Sequence, residues 1–286
     1  MSRVERLSDL IQARSHTEAS FKVFAQATYF PGFIRLYQPH KPTDKLIAGF
    51  ETASKKKHSP RLIQVSDNSE DNLQRSLRTS KASVLAYALC NSFDIFATFT
   101  FSDDRQNIDR SKQKMNDWLK NQKKRTSPNL KYLIVSEFHH DGVSLHFHAL
   151  LSGYLGRLKV AINPETGRPR KRRGKVRYNI TSFQSGYTDA VKLGQTFKDQ
   201  QMIGRYISKY ITKEMPRFKN KNRYWASSGL ARPLKQDNPP LELLTKPPVW
   251  QITNEFGTIS IFPYTEELTD YLNEQGHQVF PQSKVK

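Results

Sequence analysis

The sequence predicts an α+β fold, because stretches with the periodicity of strands alternate with stretches that suit helices. Asp94–Phe101 (DIFATFTF) alternates apolar and small polar residues, which is typical of a strand. Lys131–Leu151 holds two apolar runs on either side of Asp141-Gly142, the strongest short-range signal for a β-hairpin. Ser69–Cys90 begins with acidic residues and indicates a helix capped by Ser69. Antiparallel strands and helices therefore share the chain.

Weaker signals predict further elements. Asp109–Lys124 carries Met115, Trp118 and Leu119 at helical spacing. The other predicted elements are a short amphipathic helix over Val4–Ala13, strand-like pieces at Phe21–Phe30 and Gly32–Gln38, a strand over Tyr178–Tyr187 that ends at Gly186, and a last pair of strands within Thr245–Phe262.

The composition indicates a polyanionic partner. The chain has 286 residues, with 46 Lys and Arg against 26 Asp and Glu, a net charge of +20 and a pI near 10.0. A charge this large favours nucleic acid as the partner, with an anionic membrane surface as the second candidate. The 36% of apolar residues is enough to form a core.

The compartment predicted is the cytoplasm. No apolar run approaches the length of a membrane span, and the first residues are charged rather than signal-like. The lone cysteine, Cys90, excludes an internal disulfide and fits a reducing environment.

The predicted hairpin brings two histidines and a glutamate together. A two-residue type I′ turn at Asp141-Gly142 pairs Glu137 with His146, and alternate residues of a strand share a face. His148 and His139 then lie on the same face as that pair. Two imidazoles and a carboxylate can form an open site for a divalent metal.

The identity of the metal stays open at this point. Two His and a Glu suit Zn²⁺, whereas Mg²⁺ or Mn²⁺ fits if phosphate oxygens and waters complete the shell. A histidine on a strand can also be an ordinary core or surface residue.

A strongly basic segment runs over Gly167–Arg177. No core can accommodate so many charges, which predicts an exposed loop or hairpin extension that binds the DNA backbone. A nuclear-localisation signal is the generic alternative. The seven basic residues are Arg168, Arg170, Lys171, Arg172, Arg173, Lys175 and Arg177.

A helix is predicted over Asp199–Met215, capped by Asp199 and ended by Pro216. Its core stripe is Ile203, Ile207 and Ile211, with Tyr206 and Tyr210 beside the stripe and Lys209 and Lys213 beyond them. Residues four apart are neighbours on a helix, so both phenols can reach one point. Simple packing of the tyrosines at the core rim is the alternative.

In this order, three of these segments resemble the motifs of the rolling-circle replication initiators of bacterial plasmids and phages, the HUH endonucleases. The resemblance covers roughly Arg75 to Leu230. The matching residues are Phe96, Thr98 and Thr100 of the F-x-T-x-T strand, His146-Phe147-His148 with Glu137 upstream, and two Tyr-x-x-Lys motifs, Tyr206/Lys209 and Tyr210/Lys213.

The resemblance implies a fold and a domain division. The fold is a central antiparallel β-sheet, an HUH/RRM-like palm, with flanking helices on one face and the His-x-His strand in the centre. The implied divisions are a β-rich accessory segment over 1–70, the HUH endonuclease domain over 71–232 and a C-terminal extension over 233–286. No Walker A motif is present, so we expect no fused helicase.

The resemblance also implies an enzyme that nicks and rejoins single-stranded origin DNA during rolling-circle replication, leaving a 5′-phosphotyrosine link and a free 3′-hydroxyl. It assigns catalysis to Tyr206, Tyr210, Lys209 and Lys213. It assigns Mg²⁺ or Mn²⁺ to Glu137, His146 and His148, and His139 is an alternative to Glu137 as third ligand.

The implied partners are an origin in single-stranded, hairpin or supercoiled duplex DNA and a host helicase and polymerase in the bacterial cytoplasm, with no membrane. Three other classes remain open: a relaxase or transposase of the same chemistry, a non-catalytic basic DNA-binding protein, and a zinc hydrolase. The tyrosines follow the His motif in the chain, which favours a replication initiator over a relaxase.

Overall fold

The structure, a computed structural model, describes residues 25–40, 69–103, 106–139, 141–212, 215, 223–239 and 246–274. The predicted helix over Val4–Ala13 and the predicted catalytic Lys213 lie outside these residues. Among the described helices, none is long and apolar enough to cross a lipid bilayer.

The described part of the chain contains both strands and helices. In chain order, the strands are β1 (Gln26–Phe30), β2 (Phe33–Pro39), β3 (Ile95–Phe101), β4 (Lys131–Phe138), β5 (Leu145–Ser152), β6 (Leu158–Val160), β7 (Lys171–Arg172), β8 (Lys175–Val176), β9 (Tyr178–Ile180), β10 (Gly186–Lys192), β11 (Tyr224–Ala226), β12 (Leu234–Asp237), β13 (Trp250–Asn254) and β14 (Gly257–Phe262). The helices are α1 (Ser69–Cys90), α2 (Ile108–Arg125), α3 (Phe197–Ser208) and α4 (Glu266–Glu274).

The chain divides into two compact units, and one of them is discontinuous. Gln64–Arg232 forms the inner unit, and Met1–Ile63 together with Pro233–Lys286 forms the outer unit. The outer unit holds a five-stranded sheet in the order β12-β1-β2-β14-β13. The two flanking segments, which were predicted as separate parts of the chain, therefore contribute strands to one sheet.

The inner unit is organised around a seven-stranded sheet in the order β11-β4-β5-β3-β10-β9-β6. Each of its strand pairs is antiparallel. The His-x-His strand, β5, lies between β4 and β3. The prediction of an α+β fold with a central antiparallel sheet and flanking helices is confirmed.

Helices cover both faces of this sheet, so the expectation of helices on one face is wrong. On one face, Trp118 of α2 packs with Phe99 of β3 and Phe147 of β5. On the other face, α1 and α3 pack over Phe96 and Leu150. The reason is that β3 and β5 carry apolar side chains at both odd and even positions, so each face needs a cover.

Helices α1 and α3 approach each other closely at Gly204. A Cβ atom added at Gly204 would lie only 2.7 Å from the Cβ of Ala88 on α1. Any larger residue would push the helices apart or distort them. Gly204 thereby fixes the height of the tyrosine-bearing segment above the sheet.

The single strand predicted over Tyr178–Tyr187 is two strands. β9 ends at Ile180, and Gly186 begins β10 rather than ending a strand. Gly186 has φ of 150°, and a Cβ there would lie 2.1 Å from the backbone oxygen of Thr100. The glycine therefore marks a close approach of β10 to β3, which reads in sequence like a strand end.

Candidate active site

The β4–β5 hairpin has the register that the sequence predicted. Glu137 pairs with His146 and Val135 pairs with His148. The turn is not of the predicted type I′, because Gly142 has φ of 69° but Asp141 lacks the positive φ that this type requires. The Asp141 carboxylate instead accepts hydrogen bonds from the Ser144 side chain and backbone, which ties the turn to the start of β5.

The predicted ligand side chains meet on one face of the sheet. Nε2 of His148 lies 2.9 Å from Oε2 of Glu137, diagonally across the hairpin. The ring of His139 stacks on that of His146 with centroids 4.8 Å apart. His148 is buried, whereas Glu137 is partly open to solvent, so the group lies at the edge of the core.

Two threonines of β3 hold the imidazole rings from the other side. Thr98 pairs with His148 and Thr100 with His146 across the β3–β5 ladder. The Thr98 hydroxyl lies 3.1 Å from Nδ1 of His148, and that of Thr100 lies 3.4 Å from Nδ1 of His146. Hydrogen bonding at Nδ1 leaves Nε2 as the ligand atom of each ring and fixes the orientation of the ring.

The surroundings of His146 favour its neutral form. Burial, followed by the nearby His139 and His148, lowers the pKa of His146 to about 4, although Glu137 and Asp141 act in the opposite direction. At neutral pH this imidazole carries no charge. A neutral imidazole is the form that binds a metal ion.

The metal set of Glu137, His146 and His148 remains a prediction. In the part of the chain that the structure describes, no three His, Cys, Asp or Glu side chains form a group that could hold a metal ion as they stand. The donor chemistry does fit a cation. Nε2 of His148 and Oε2 of Glu137 are 2.9 Å apart, and two ligands about 2.1 Å from one cation can lie that close together.

The tyrosine helix is shorter than the sequence predicted. α3 begins after Thr196, whose side chain and that of Asp199 form a capping box, so Asp199 is the third helical residue rather than the cap. The helix ends at Ser208. Beyond it the backbone hydrogen bonds run from residue i to i−3, as from Tyr210 N to Ile207 O, which tightens the last turn.

The two phenols nevertheless meet, as predicted. Tyr210 lies in the tight turn after α3, and its hydroxyl donates a 2.7 Å hydrogen bond to the hydroxyl of Tyr206. The ring of Tyr210 stacks on the ring of His148, with centroids 3.6 Å apart and an interplanar angle of 11°. Tyr206 packs edge-on against Phe96. The structure thus joins the tyrosine pair directly to the histidine pair.

The pKa of the Tyr210 phenol is raised above its ordinary value. Burial is the largest cause, followed by the hydrogen bond to Tyr206 and by the charges of Tyr206 and Glu137. The guanidinium of Arg172 opposes this rise. The phenol therefore needs a nearby positive charge before it can act as a nucleophile at neutral pH.

The basic segment forms a hairpin, as the composition predicted. β7 pairs with β8 across a two-residue turn in which Arg173 and Gly174 have φ of 51° and 75°. Positive φ at both positions matches a type I′ turn. Lys171, Arg172, Arg173 and Lys175 are exposed on this element, which we call the basic hairpin (residues 170–177).

Asp189 anchors the basic hairpin beside the candidate site. Arg177 makes two hydrogen bonds to the Asp189 carboxylate and Arg170 makes a third, at 2.6–2.8 Å. Burial acts to raise the pKa of Asp189, but these hydrogen bonds outweigh it and hold that pKa below its usual value. Arg177 is only 8% exposed. Of the seven basic residues predicted to bind DNA, Arg177 and Arg170 are thus engaged within the protein.

Some residues of this site had no structural role predicted from the sequence. Asp189 had no signal, because a single acidic residue in a basic chain looks like an ordinary surface residue. Thr98 and Thr100 did have one: alternate positions of one strand share a face, and the opposing strand carries His148 and His146 at the same spacing. The lysines remain less defined, since Lys209 is exposed and Lys213 lies outside the described residues.

Comparison with known proteins places this site in a family context. Residues 94–215 match the model of the ORF2 family of replication-associated proteins. The matched range contains β3, the histidine pair, the basic hairpin and both tyrosines. Comparisons with curated proteins and with solved structures found no match. Over residues 94–215 the chain is therefore similar to the replication-associated proteins of the ORF2 family, which supports a function in the initiation of DNA replication and an interaction with DNA.

Proposed function

We propose that the protein is a rolling-circle replication initiator that nicks single-stranded origin DNA by tyrosine transesterification, with HUH chemistry. The observation that carries this proposal is the contact between the two pairs of residues: Tyr210 stacks on His148 and is hydrogen-bonded to Tyr206. Nucleophile candidates next to potential metal ligands are the arrangement that such a reaction needs.

Glu137, His146 and His148 would hold the divalent cation, Mg²⁺ or Mn²⁺, with His139 as the alternative to Glu137. A bound cation would polarise the scissile phosphate and offset the negative charge that builds on its oxygens. Thr98 and Thr100 keep the two imidazoles in the orientation for binding. Glu137 is partly exposed, so the site is open to a phosphate from solvent.

The bond exchange is balanced without any nucleotide cofactor. The phenol oxygen of Tyr206 or Tyr210 forms a bond to phosphorus, and the bond from phosphorus to the DNA 3′ oxygen breaks. The phenolic proton leaves, and the 3′ oxygen takes up a proton. The products are a 5′-phosphotyrosine link and a 3′-hydroxyl that a polymerase can extend. Lys209 and Lys213 are proposed to stabilise the charge on the phosphate oxygens.

In this role the protein would act in the bacterial cytoplasm on an origin carried by a plasmid or a phage. Exposure of the origin as a single strand, a hairpin or supercoiled duplex would give access to the scissile phosphate. A host helicase and polymerase would then use the 3′-hydroxyl. The covalent protein–DNA linkage would retain the 5′ end until the displaced strand is closed.

A nicking assay tests the proposed function. Single-stranded DNA spanning the candidate origin is incubated with the protein and Mg²⁺, Mn²⁺ or Zn²⁺, and the products are separated under denaturing conditions. We expect a protein-linked 5′ fragment and a fragment with an extendable 3′-hydroxyl, both lost in chelator. Hydrolytic products without a protein link would indicate a metal hydrolase instead, and binding without cleavage would indicate a non-catalytic DNA-binding protein.

The basic hairpin is predicted to contact DNA phosphates. Changing Lys171, Arg172 and Lys175 to Gln should reduce the slope of log affinity against log salt by about 2 for single-stranded DNA, because each lost phosphate contact removes roughly 0.7. Fluorescence anisotropy across a salt series measures this slope. Arg170, Arg173 and Arg177 stay unchanged, so that the turn and its anchor on Asp189 are preserved.

A matched control removes the same charge from the opposite face of the sheet. Lys120, Lys124 and Arg125 are exposed on α2, which covers the face away from the candidate site. Changing these three residues to Gln should leave the slope near that of the unchanged protein. Equal slopes in the two triple variants would show that the hairpin is an ordinary solvated surface.

A further inference from the structure

An exposed aromatic ring lies in the same row of the sheet as the candidate ligands. Tyr187 of β10 pairs with Thr100 of β3, Thr100 pairs with His146 of β5, and His146 pairs with Glu137. Directly opposed residues of antiparallel strands point to the same face. Neighbouring strands are about 4.8 Å apart, so the backbone of Tyr187 is about 10 Å from that of His146.

The ring of Tyr187 is not used by the core. The residue is 75% exposed, whereas its neighbour Thr188, on the other face, is buried and accepts a hydrogen bond from Ile180 N. Single exposed apolar residues are common and carry no information by themselves. The information here comes from the position of the ring, because it is open to solvent on the face and in the row that hold His146.

Positive charge lies beside this ring. Asp189 is two residues along β10 from Tyr187, and it therefore points to the same face. Its carboxylate is neutralised by Arg170 and Arg177, which leaves the exposed cations of the basic hairpin next to it. Arg172 also acts electrostatically on Tyr210, so the hairpin reaches the tyrosine side of the site as well. An aromatic face and phosphate-binding cations together form the two parts of a site for single-stranded nucleic acid.

We propose that Tyr187 is a stacking platform for a nucleobase of single-stranded DNA close to the scissile phosphate. The inference rests on the proposed function for the identity of the substrate. Stacking on a tyrosine ring accepts any base, because every base presents a π face. Tyr187 would therefore add affinity and hold the strand in place, without choosing its sequence.

The test compares two strands that differ only in their bases. Binding of a fluorescein-labelled oligothymidylate and of an abasic strand of the same length is measured by anisotropy in chelator, with the full chain. Tyr187→Thr keeps a β-branched residue in the strand and removes the ring, while Tyr187→Phe and Tyr187→Trp keep an aromatic face. Leu155→Ala is the matched control, since Leu155 is 74% exposed in the same unit.

We expect Tyr187→Thr to weaken oligothymidylate binding by about 5- to 150-fold and to leave binding of the abasic strand unchanged. The Phe, Trp and Leu155→Ala variants should bind oligothymidylate like the unchanged protein. Crosslinking to a strand that contains 5-iodouracil should map to the peptide with Tyr187.

Two results would overturn the inference. Unchanged oligothymidylate binding in Tyr187→Thr would show that the ring makes no contact with a base. An equal loss on both strands would show that Tyr187 contacts the backbone or acts through the fold. No cleavage is measured in this experiment, so a protein that fails to nick could still show stacking, and a protein that nicks could still lack it.

Discussion

The double variant His146→Ala/His148→Ala is expected to lose nicking activity by roughly three orders of magnitude or more, while binding of single-stranded DNA falls only slightly. A bound cation supplies several kcal/mol of transition-state stabilisation, and each 1.36 kcal/mol corresponds to a tenfold change in rate. Affinity comes mainly from phosphate contacts by Lys and Arg, which the change does not touch. Nicking is followed with labelled DNA in Mg²⁺ or Mn²⁺, and binding by anisotropy.

Nicking by this double variant in chelator, at the rate of the unchanged protein, would contradict the metal hypothesis. Two single variants then decide the third ligand. Glu137→Gln and His139→Ala are compared by calorimetric titration with Mn²⁺, which needs no catalytic turnover. The variant whose Mn²⁺ affinity falls at least about tenfold carries the ligand, and the other keeps the affinity of the unchanged protein.

Phe substitutions of the two tyrosines should separate a two-nucleophile enzyme from a one-nucleophile enzyme. We expect residual nicking in Tyr206→Phe and in Tyr210→Phe, none in the double variant, and loss of circle closure in both single variants. The reason is that the two hydroxyls are hydrogen-bonded at 2.7 Å, so that either can reach the same phosphate. Covalent protein–DNA adducts are trapped and the linked peptide is identified by mass spectrometry.

The control for these variants is Tyr224→Phe. Tyr224 of β11 pairs with Val135 and lies on the same face of the sheet, so this variant removes a phenol near the site without altering the pair. It should nick and close circles normally. If one of the two site variants also nicks and closes normally while the other is inactive, the enzyme has one catalytic tyrosine and the second tyrosine is structural.

Sequence reasoning predicted the hairpin well because its register depends only on local chemistry. Alternation fixes which residues share a face, and the position of the Asp-Gly turn fixes which residues pair. The turn type was missed because the Asp141 side chain makes hydrogen bonds to Ser144 that a backbone pattern does not reveal. The error did not affect the site, since Glu137 and His146 pair in either case.

The helix that carries the tyrosines was predicted with less accuracy. Periodicity shows that Ile203, Ile207 and Ile211 share a face, but it does not distinguish a continuing α-helix from a tight final turn. The contact between the phenols survives because residues three or four apart remain neighbours in both geometries. The stacking of Tyr210 on His148 could not be predicted, because it joins residues from distant parts of the chain.

The anchor at Asp189 shows what a sequence pattern cannot supply. The count of basic residues predicts an exposed segment, and the structure confirms it. The same count cannot separate Arg177, which is buried against Asp189, from Arg172, which is exposed. That distinction depends on β10 lying beside β3, and no local pattern in the sequence predicts this pairing.

The discontinuous outer unit has a consequence for the order in which the protein forms during synthesis. Ala25 N donates to the side chain of Asn238, 213 residues later in the chain. At about 5–20 residues per second, the ribosome needs roughly 10–40 s to deliver the partner strand after β1 has emerged. Gln64–Arg232 is continuous and is complete before β12 is made. We expect the five-stranded sheet to be the last part of the protein to form, because its contacts have the greatest sequence separation.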